Sequence, residues 1–219
     1  MPILAITKAE QVCREIMEQI FRGVLKPGQR LVEAQLSKEL GVSQATVNAA
    51  LQDLHSQGLV TKLLNRSTWV NRYTQAEIEK LFAVRRVLEP AAVEAVARHW
   101  DSEAEQGLRE YVDQMRRAAR AHDLPRFSMA DYSFHQELYR RSRNSFLIQA
   151  CQAIAVAPFA YVLCDHPEAL PTDYLALAED HQDLILAMPE GPEVAAQLTR
   201  ERIEQWLEHS LRALTAARA

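Results

Sequence analysis

The sequence predicts a mainly α-helical protein with two parts, a small head over residues 1–73 and a larger, all-helical body over residues 74–219. Apolar residues recur at spacings of three and four through most of the chain, which is the period of an amphipathic helix. Strand-forming runs occur near the end of the head, in LVTKLL and STWVNRY, and no strand pattern follows them.

Charge is divided unevenly between the two parts. The head holds 9 Lys and Arg against 6 Asp and Glu, a net charge of +3, whereas the body holds 16 against 23, a net of −7. A basic head on an acidic body suits a polyanion-binding module attached to a second domain, although +3 is a weak signal.

Other features of composition bound the compartment. The three cysteines, Cys13, Cys151 and Cys164, are scattered without a CxxC motif, so the sequence indicates neither a disulfide framework nor a zinc ribbon. The first residues lack a signal-peptide pattern, and no stretch reaches about 18 uninterrupted apolar residues. We therefore expect a soluble cytoplasmic protein with no membrane partner.

The head shows the element order of a winged helix-turn-helix. A first helix over residues 8–22 ends at Gly23, a second stops at Gly41, and Ser43 is a good N-cap for a third helix over residues 44–57. The two strand-forming runs then predict a hairpin wing. This order presents the N-terminus of the third helix to base edges in a major groove. A three-helix unit that serves only packing or dimerisation is the alternative.

The stretch LKPGQRLVEAQLSKELGVSQATVNAALQDLHSQGLV resembles the GntR superfamily of bacterial transcription regulators. The resemblance implies that Arg30 contacts a phosphate and that Arg66 is a basic residue at the wing tip. With the start of the third helix, the implied DNA-binding residues are Arg30, Ser43, Gln44, Ala45, Thr46, Asn48 and Arg66.

This head departs from the family pattern at the residues that read bases. The family usually has arginine at Gln44 and Asn48, proline at Thr46 and glycine at Ser67. Gln and Asn prefer adenine and carry no charge, so their presence should weaken phosphate attraction and shift preference toward A·T-containing sites. Either the operator is unusual or DNA binding has decayed.

In the body, Asp131 and His135 stand four residues apart in DYSFHQELYRRSRN, which places them on one helical face. His181 lies on a later predicted helix. A carboxylate and two imidazoles are ligands for a divalent transition metal, although any one of these histidines alone is more often a packing residue.

The body resembles the FCD effector domain found in one branch of the same superfamily. The motifs are EKLFAVRRVLEP, DYSFHQELYRRSRN and EDHQDLILAM. The resemblance implies a divalent metal, such as Zn, Ni, Mn or Fe, on Asp131, His135, His181 and a fourth histidine. It also implies an organic-acid effector held near the metal, for which Arg85 and Asn144 are candidate contacts.

Arg202 stands near the place where the family offers its fourth histidine. Arginine stays protonated and cannot ligate a metal. One possibility is that Arg202 replaces the charge of the ion, pairing with Asp131 or with an effector carboxylate. The other is that the remaining three residues still hold an ion with open coordination positions.

The expected protein is a homodimeric transcription regulator. Its head binds a palindromic DNA operator, its body mediates dimerisation, and a small organic acid in the helical pocket alters the placement of the two heads. The alternative is a metal-dependent enzyme, similar to non-haem iron enzymes, on the same scaffold with decayed DNA binding.

Overall fold

The fold was obtained as a computed structural model, which describes residues 6–63, 67–154 and 173–216. The mainly α fold class is confirmed. The elements of the head are α1 (Lys8–Phe21), β1 (Arg30–Leu31), α2 (Glu33–Leu40), α3 (Gln44–Ser56), β2 (Val60–Lys62) and β3 (Thr68–Val70). Those of the body are α4 (Gln75–Ala97), α5 (Ser102–Arg120), α6 (Leu124–Arg141), α7 (Ser145–Gln152), α8 (Tyr174–Ala187), a short 3-10 helix (Met188–Glu190) and α9 (Pro192–Ala216).

The helices of the head begin at residues that satisfy their free amides. Thr7 forms a capping box with Glu10 at the start of α1, and the Ser43 hydroxyl accepts from the Thr46 amide, 3.1 Å away, at the start of α3. Val47 and Leu51 of α3 are fully buried, as the sequence predicts. The opposite face of α3 is therefore left toward solvent.

The wing is a three-stranded antiparallel sheet in which β3 lies between β1 and β2. The predicted hairpin of β2 and β3 is present, whereas β1 was not predicted. A strand of two residues is too short to show alternation, and it forms because Arg30 lies opposite Trp69 in register with β3. Arg66, the predicted wing-tip residue, lies outside the described residues.

In the body, α5 packs along α6 and α8, while α4 packs along α9. The sequence left Pro90 as a kink or a break, but α4 continues through it from Gln75 to Ala97. The side chains of Phe82 and Val93, on either side of Pro90, are both fully buried, each in its own apolar cluster, so both halves of the helix are held by packing. The predicted helix over residues 145–163 ends in the structure at Gln152, with Ala153 as its C-cap, and residues 155–163 and Cys164 lie outside the described residues.

Head and body share one apolar cluster, which runs from α1 and α3 into α5 and α6. At its edge, the Tyr132 hydroxyl of α6 donates to Gln57 Oε1 over 2.8 Å, and Gln57 is the C-cap residue of α3. The Gly58 carbonyl accepts from the Tyr73 hydroxyl. Within the described ranges, no helix is long and apolar enough to cross a membrane.

Gly58 of the head lies close to the backbone of Ala153 in the body. Its φ is +75°, and a Cβ there would lie 3.0 Å from the Ala153 carbonyl oxygen, whereas Gly23 has φ +69° with nothing within 4 Å of such a Cβ. We expect Gly23→Ala to lower the free energy of unfolding by about 1–2 kcal/mol through left-handed strain alone. Gly58→Ala should cost roughly 1–3 kcal/mol more because Ala153 must move. Urea denaturation of both variants measures the difference, and equal costs would contradict the close contact.

Candidate functional site

Helices α6 and α8 bring the three predicted metal ligands together. His181 Nε2 lies 2.9 Å from Asp131 Oδ1, and His135 Nε2 lies 3.8 Å from Asp131 Oδ2. One ligand atom from each residue falls within 4.8 Å of the other two. The pair spaced four apart on α6 thus meets the histidine that the sequence placed on a later helix.

The position of each imidazole is set through its other nitrogen. His181 Nδ1 lies 2.7 Å from the Leu177 carbonyl oxygen, which can only accept, so Nδ1 carries a proton and Nε2 faces Asp131. His135 Nδ1 lies 3.4 Å from the Tyr139 hydroxyl, and that tyrosine hydrogen-bonds in turn to Glu89. Such outer contacts fix the rings of metal-binding histidines.

Burial and charge divide the protons between the three groups. Burial alone would raise the pKa of Asp131, but the attraction and hydrogen bond of His181 lower it overall. Burial alone would lower the pKa of His181, yet Asp131 raises it above its ordinary value. Burial lowers the pKa of His135. The arrangement therefore favours an ion pair of Asp131 with His181 and a neutral His135.

The donor set fits a divalent transition metal. Asp131 is 2% exposed, and its Oδ2 is buried without a hydrogen-bond partner among the described residues. An ionised oxygen without a partner is costly in a protein interior, and a cation would relieve that cost. Zinc in tetrahedral geometry holds neighbouring ligand atoms roughly 3.3 Å apart, so small shifts of these side chains would suffice.

Arg85 faces the same cluster but is already paired. It is 8% exposed, and its Nε lies 2.6 Å from Glu89 Oε1. Its guanidinium also lies over the Phe82 ring, 4.9 Å from the centroid. Glu89 and Tyr139 were missed by sequence analysis, although each stands four residues after a predicted site residue, Arg85 and His135 respectively. The i, i+4 spacing that places Asp131 and His135 on one helical face could also have predicted these two residues.

Arg202 does not pair with Asp131, so that part of the first expectation for it was wrong, while pairing with an effector carboxylate stays a prediction. Its guanidinium lies 2.9 Å from Asp180 Oδ1 and 3.0 Å from Asp183 Oδ2, both on α8. The physical reason is proximity. Asp180 and Asp183 lie on either side of His181 along α8, and their carboxylates lie within ion-pair distance of the Arg202 guanidinium on α9. Arg202 Nε is buried without a partner among the described residues.

These groups surround a small cavity of about 70 Å³. Its described lining consists of Arg85, Glu89, Asp131, His135, Asp180, His181, Leu184, Leu198, Thr199, Arg202, Ile203 and Trp206. Asn144, expected to contact an effector, is not in this set. Its side chain accepts from the Phe146 and Leu147 amides and caps α7, which occupies its carbonyl oxygen.

In the head, Arg30 is exposed on β1, while Ser43, Gln44 and Ala45 are exposed at the start of α3. Thr46 is partly buried, and its hydroxyl lies 2.8 Å from the Ser43 hydroxyl. The structure therefore leaves Arg30 and the first residues of α3 accessible, while Arg66 lies outside the described residues.

Asn48 is less free than the sequence indicates. Its amide nitrogen donates to Glu33 Oε1 over 2.7 Å, and its oxygen accepts from Gln52. Contact with a base would require this side chain to give up the bond to Glu33. Gln44 therefore has the more accessible amide of the two.

Comparison with known proteins assigns both halves of the chain. The FCD domain model matches residues 80–205, and the model of bacterial regulatory proteins of the gntR family matches residues 8–70. The chain is 26% identical over 202 residues to the probable D-xylose utilization operon transcriptional repressor of Paenarthrobacter nicotinovorans, covering 92% of this chain and 88% of the relative. It is 31% identical over 195 residues to the histidine utilization repressor of Klebsiella aerogenes, covering 88% and 75%.

Solved structures share the fold. E. coli McbR/YncC superposes with a TM-score of 0.76 at 20% identity, covering 98% of this chain and 100% of that one. A putative transcriptional regulator GntR from Rhodococcus sp. RHA1 gives a TM-score of 0.69 at 23% identity, with coverage of 93% and 97%. The two curated relatives carry the names of a probable repressor and a repressor, and these comparisons give the enzyme alternative no support.

The ion pair of Asp131 and His181 makes a prediction for the metal-free protein. In chelator, His181→Ala should lower the free energy of unfolding by about 3–5 kcal/mol because it leaves a buried carboxylate without its cation. His135→Ala serves as the matched control, since that imidazole is neutral and more distant from Asp131. Urea titrations of both variants check this, and an equal or larger loss for His135→Ala would argue against the assigned pair.

Proposed function

We propose, since the chain belongs to the GntR family of bacterial regulatory proteins and carries an FCD domain, that it is a transcription regulator controlled by a metal and a small organic acid. The observation that supports a metal-dependent effector site is the cluster of the buried Asp131 with the partly buried His135 and His181. The accessible start of α3 supports DNA as the macromolecular partner.

The three clustered residues would hold a divalent transition metal. When bound, the metal supplies positive charge that attracts a carboxylate. The residues of the chain do the remaining work: Leu177 and Tyr139 orient the two imidazoles, and the apolar wall, including Leu198 and Trp206, limits water in the cavity. The small volume favours a compact acid over a large one.

Cavity charge explains why an acid effector would depend on the metal. With His181 protonated and His135 neutral, the three carboxylates of the described lining, Glu89, Asp131 and Asp180, are balanced by three cations, Arg85, Arg202 and His181. The lining then has no excess positive charge for an anion, whereas a divalent metal that displaces the His181 proton would add one net positive charge and attract a carboxylate. Arg202 Nε, the buried donor without a described partner, is the group we assign to the effector.

A homodimer would place two heads on the two halves of a palindromic operator. The body carries exposed apolar surface suited to such an interface, since Val84 and Val87 of α4 are 44% and 69% exposed. Stable interfaces bury about 1,600 Å² in total, and the body has the longer helices from which to provide that area.

DNA recognition makes a prediction that separates affinity from sequence choice. After selection of sites from a random DNA pool, Arg30→Ala should weaken binding to all sequences alike and lower the salt slope by roughly one unit, because it removes a phosphate contact. Gln44→Ala should cost about 1–3 kcal/mol on the selected site only. Fluorescence anisotropy over a salt series measures both. Failure to select any site, or binding that neither variant changes, would refute the regulator.

A further inference from the structure

Helix α6 forms one wall of two different cavities. Asp131 and His135 face the small cavity of the proposed metal site. One residue further along the helix, Tyr132 and Gln136 face a cleft of about 420 Å³ between body and head. Successive side chains on a helix point about 100° apart, so the single helix α6 presents Asp131 and His135 to one cavity and Tyr132 and Gln136 to the other. A displacement of α6 therefore acts on both cavities together.

Tyr132 makes the polar connection across that cleft. Its hydroxyl donates to Gln57 Oε1 over 2.8 Å. Gln57 is the C-cap residue of α3, and Gln44 is the first residue of that helix. The side chain of Gln57 also hydrogen-bonds to Cys13 on α1. Gln57 is thus held between α1 and α6, at the C-terminal end of α3.

We infer that Tyr132 is a positioning residue that couples the proposed metal site to the DNA-recognition helix through its hydrogen bond with Gln57. The inference rests on the proposed function. Asp131 and Tyr132 are adjacent on α6, so a displacement of the α6 backbone that accompanies metal binding at Asp131 and His135 is passed directly to Tyr132. A hydrogen bond of 2.8 Å is lost beyond about 3.5 Å, so a shift of less than 1 Å changes the hold on α3.

A second route between the sites runs through apolar packing of α1 against α6. Tyr132→Phe distinguishes the two routes, because it keeps the ring in the interface and removes the hydroxyl alone. Tyr174→Phe is the matched control, since it deletes the same hydroxyl on α8, where the ring lies 5.7 Å from that of Phe127 within the body.

The test measures the coupling in the full-length protein with Zn²⁺ alone as the probe. DNA affinity on a selected site is determined in saturating Zn²⁺ and in chelator, and Zn²⁺ affinity is determined by calorimetry. The wild-type protein and Tyr174→Phe should show a change in DNA affinity between about 5-fold and 150-fold. In Tyr132→Phe this change should fall to about 2-fold or less, with Zn²⁺ affinity within about 3-fold of wild type.

Hydrogen exchange of the Gln57 and Gly58 amides provides a readout that a merely structural role would not move. In the wild type, Zn²⁺ should change the protection of these amides, whereas in Tyr132→Phe protection should be the same with and without Zn²⁺. A Tyr132→Phe protein that keeps the full effect of Zn²⁺ on DNA affinity overturns the inference and leaves the proposed function intact. A wild type whose DNA affinity ignores Zn²⁺ contradicts the proposed metal control itself.

Discussion

The buried carboxylate of Asp131 is the constraint on which the rest of the body depends. A charge with 2% exposure persists in an apolar core only if cations or donors surround it. His181 from α8 meets this requirement at Oδ1, Arg85 of α4 contributes positive charge nearby, and the neutral His135 of α6 lies 3.8 Å from Oδ2. Three helices are therefore placed with respect to one side chain. These helices meet around the cavity. Asp131 Oδ2 is buried without a hydrogen-bond partner among the described residues, so it is the atom that a bound cation would stabilise.

Local spacing allowed much of this arrangement to be predicted. The i, i+4 pair of Asp131 and His135, the glycine-terminated helices of the head and the buried face of α3 all follow from helical periodicity, and each is present in the structure. The family resemblance contributed the link between His181 and this pair, because no local pattern relates residues 46 positions apart.

Long-range choices between competing partners were beyond prediction. Several carboxylates were candidate partners for Arg202 in the sequence. Its pairing with Asp180 and Asp183 depends on how α9 lies against α8, which local sequence does not determine. Asn144 was expected to contact an effector in the cavity, but its side chain caps the N-terminus of α7 instead. The β1 strand was missed because its two residues form a strand only when β3 is beside them.

Arg202 stands near the position where the family resemblance implies a fourth histidine, and this distinguishes the proposed site from a four-ligand one. Arg202 pairs with Asp180 and Asp183, so its charge is compensated, and its Nε is buried without a hydrogen-bond partner among the described residues. An arginine held in this way cannot close the coordination shell of a metal. In the proposed metal site, the remaining coordination positions would be left to small ligands, which a metal-dependent effector site requires.

A calorimetric Zn²⁺ titration of metal-stripped protein tests the central claim most directly. The wild type should bind one equivalent per chain. Arg202→His should bind roughly 10-fold to 100-fold more tightly, since even outer contacts of a metal site are worth that factor. Arg200→His, two residues earlier on the same helix and paired with Glu94, should match the wild type. A wild type without saturable binding, or an Arg202→His variant no tighter than Arg200→His, would contradict a three-ligand metal site beside Arg202.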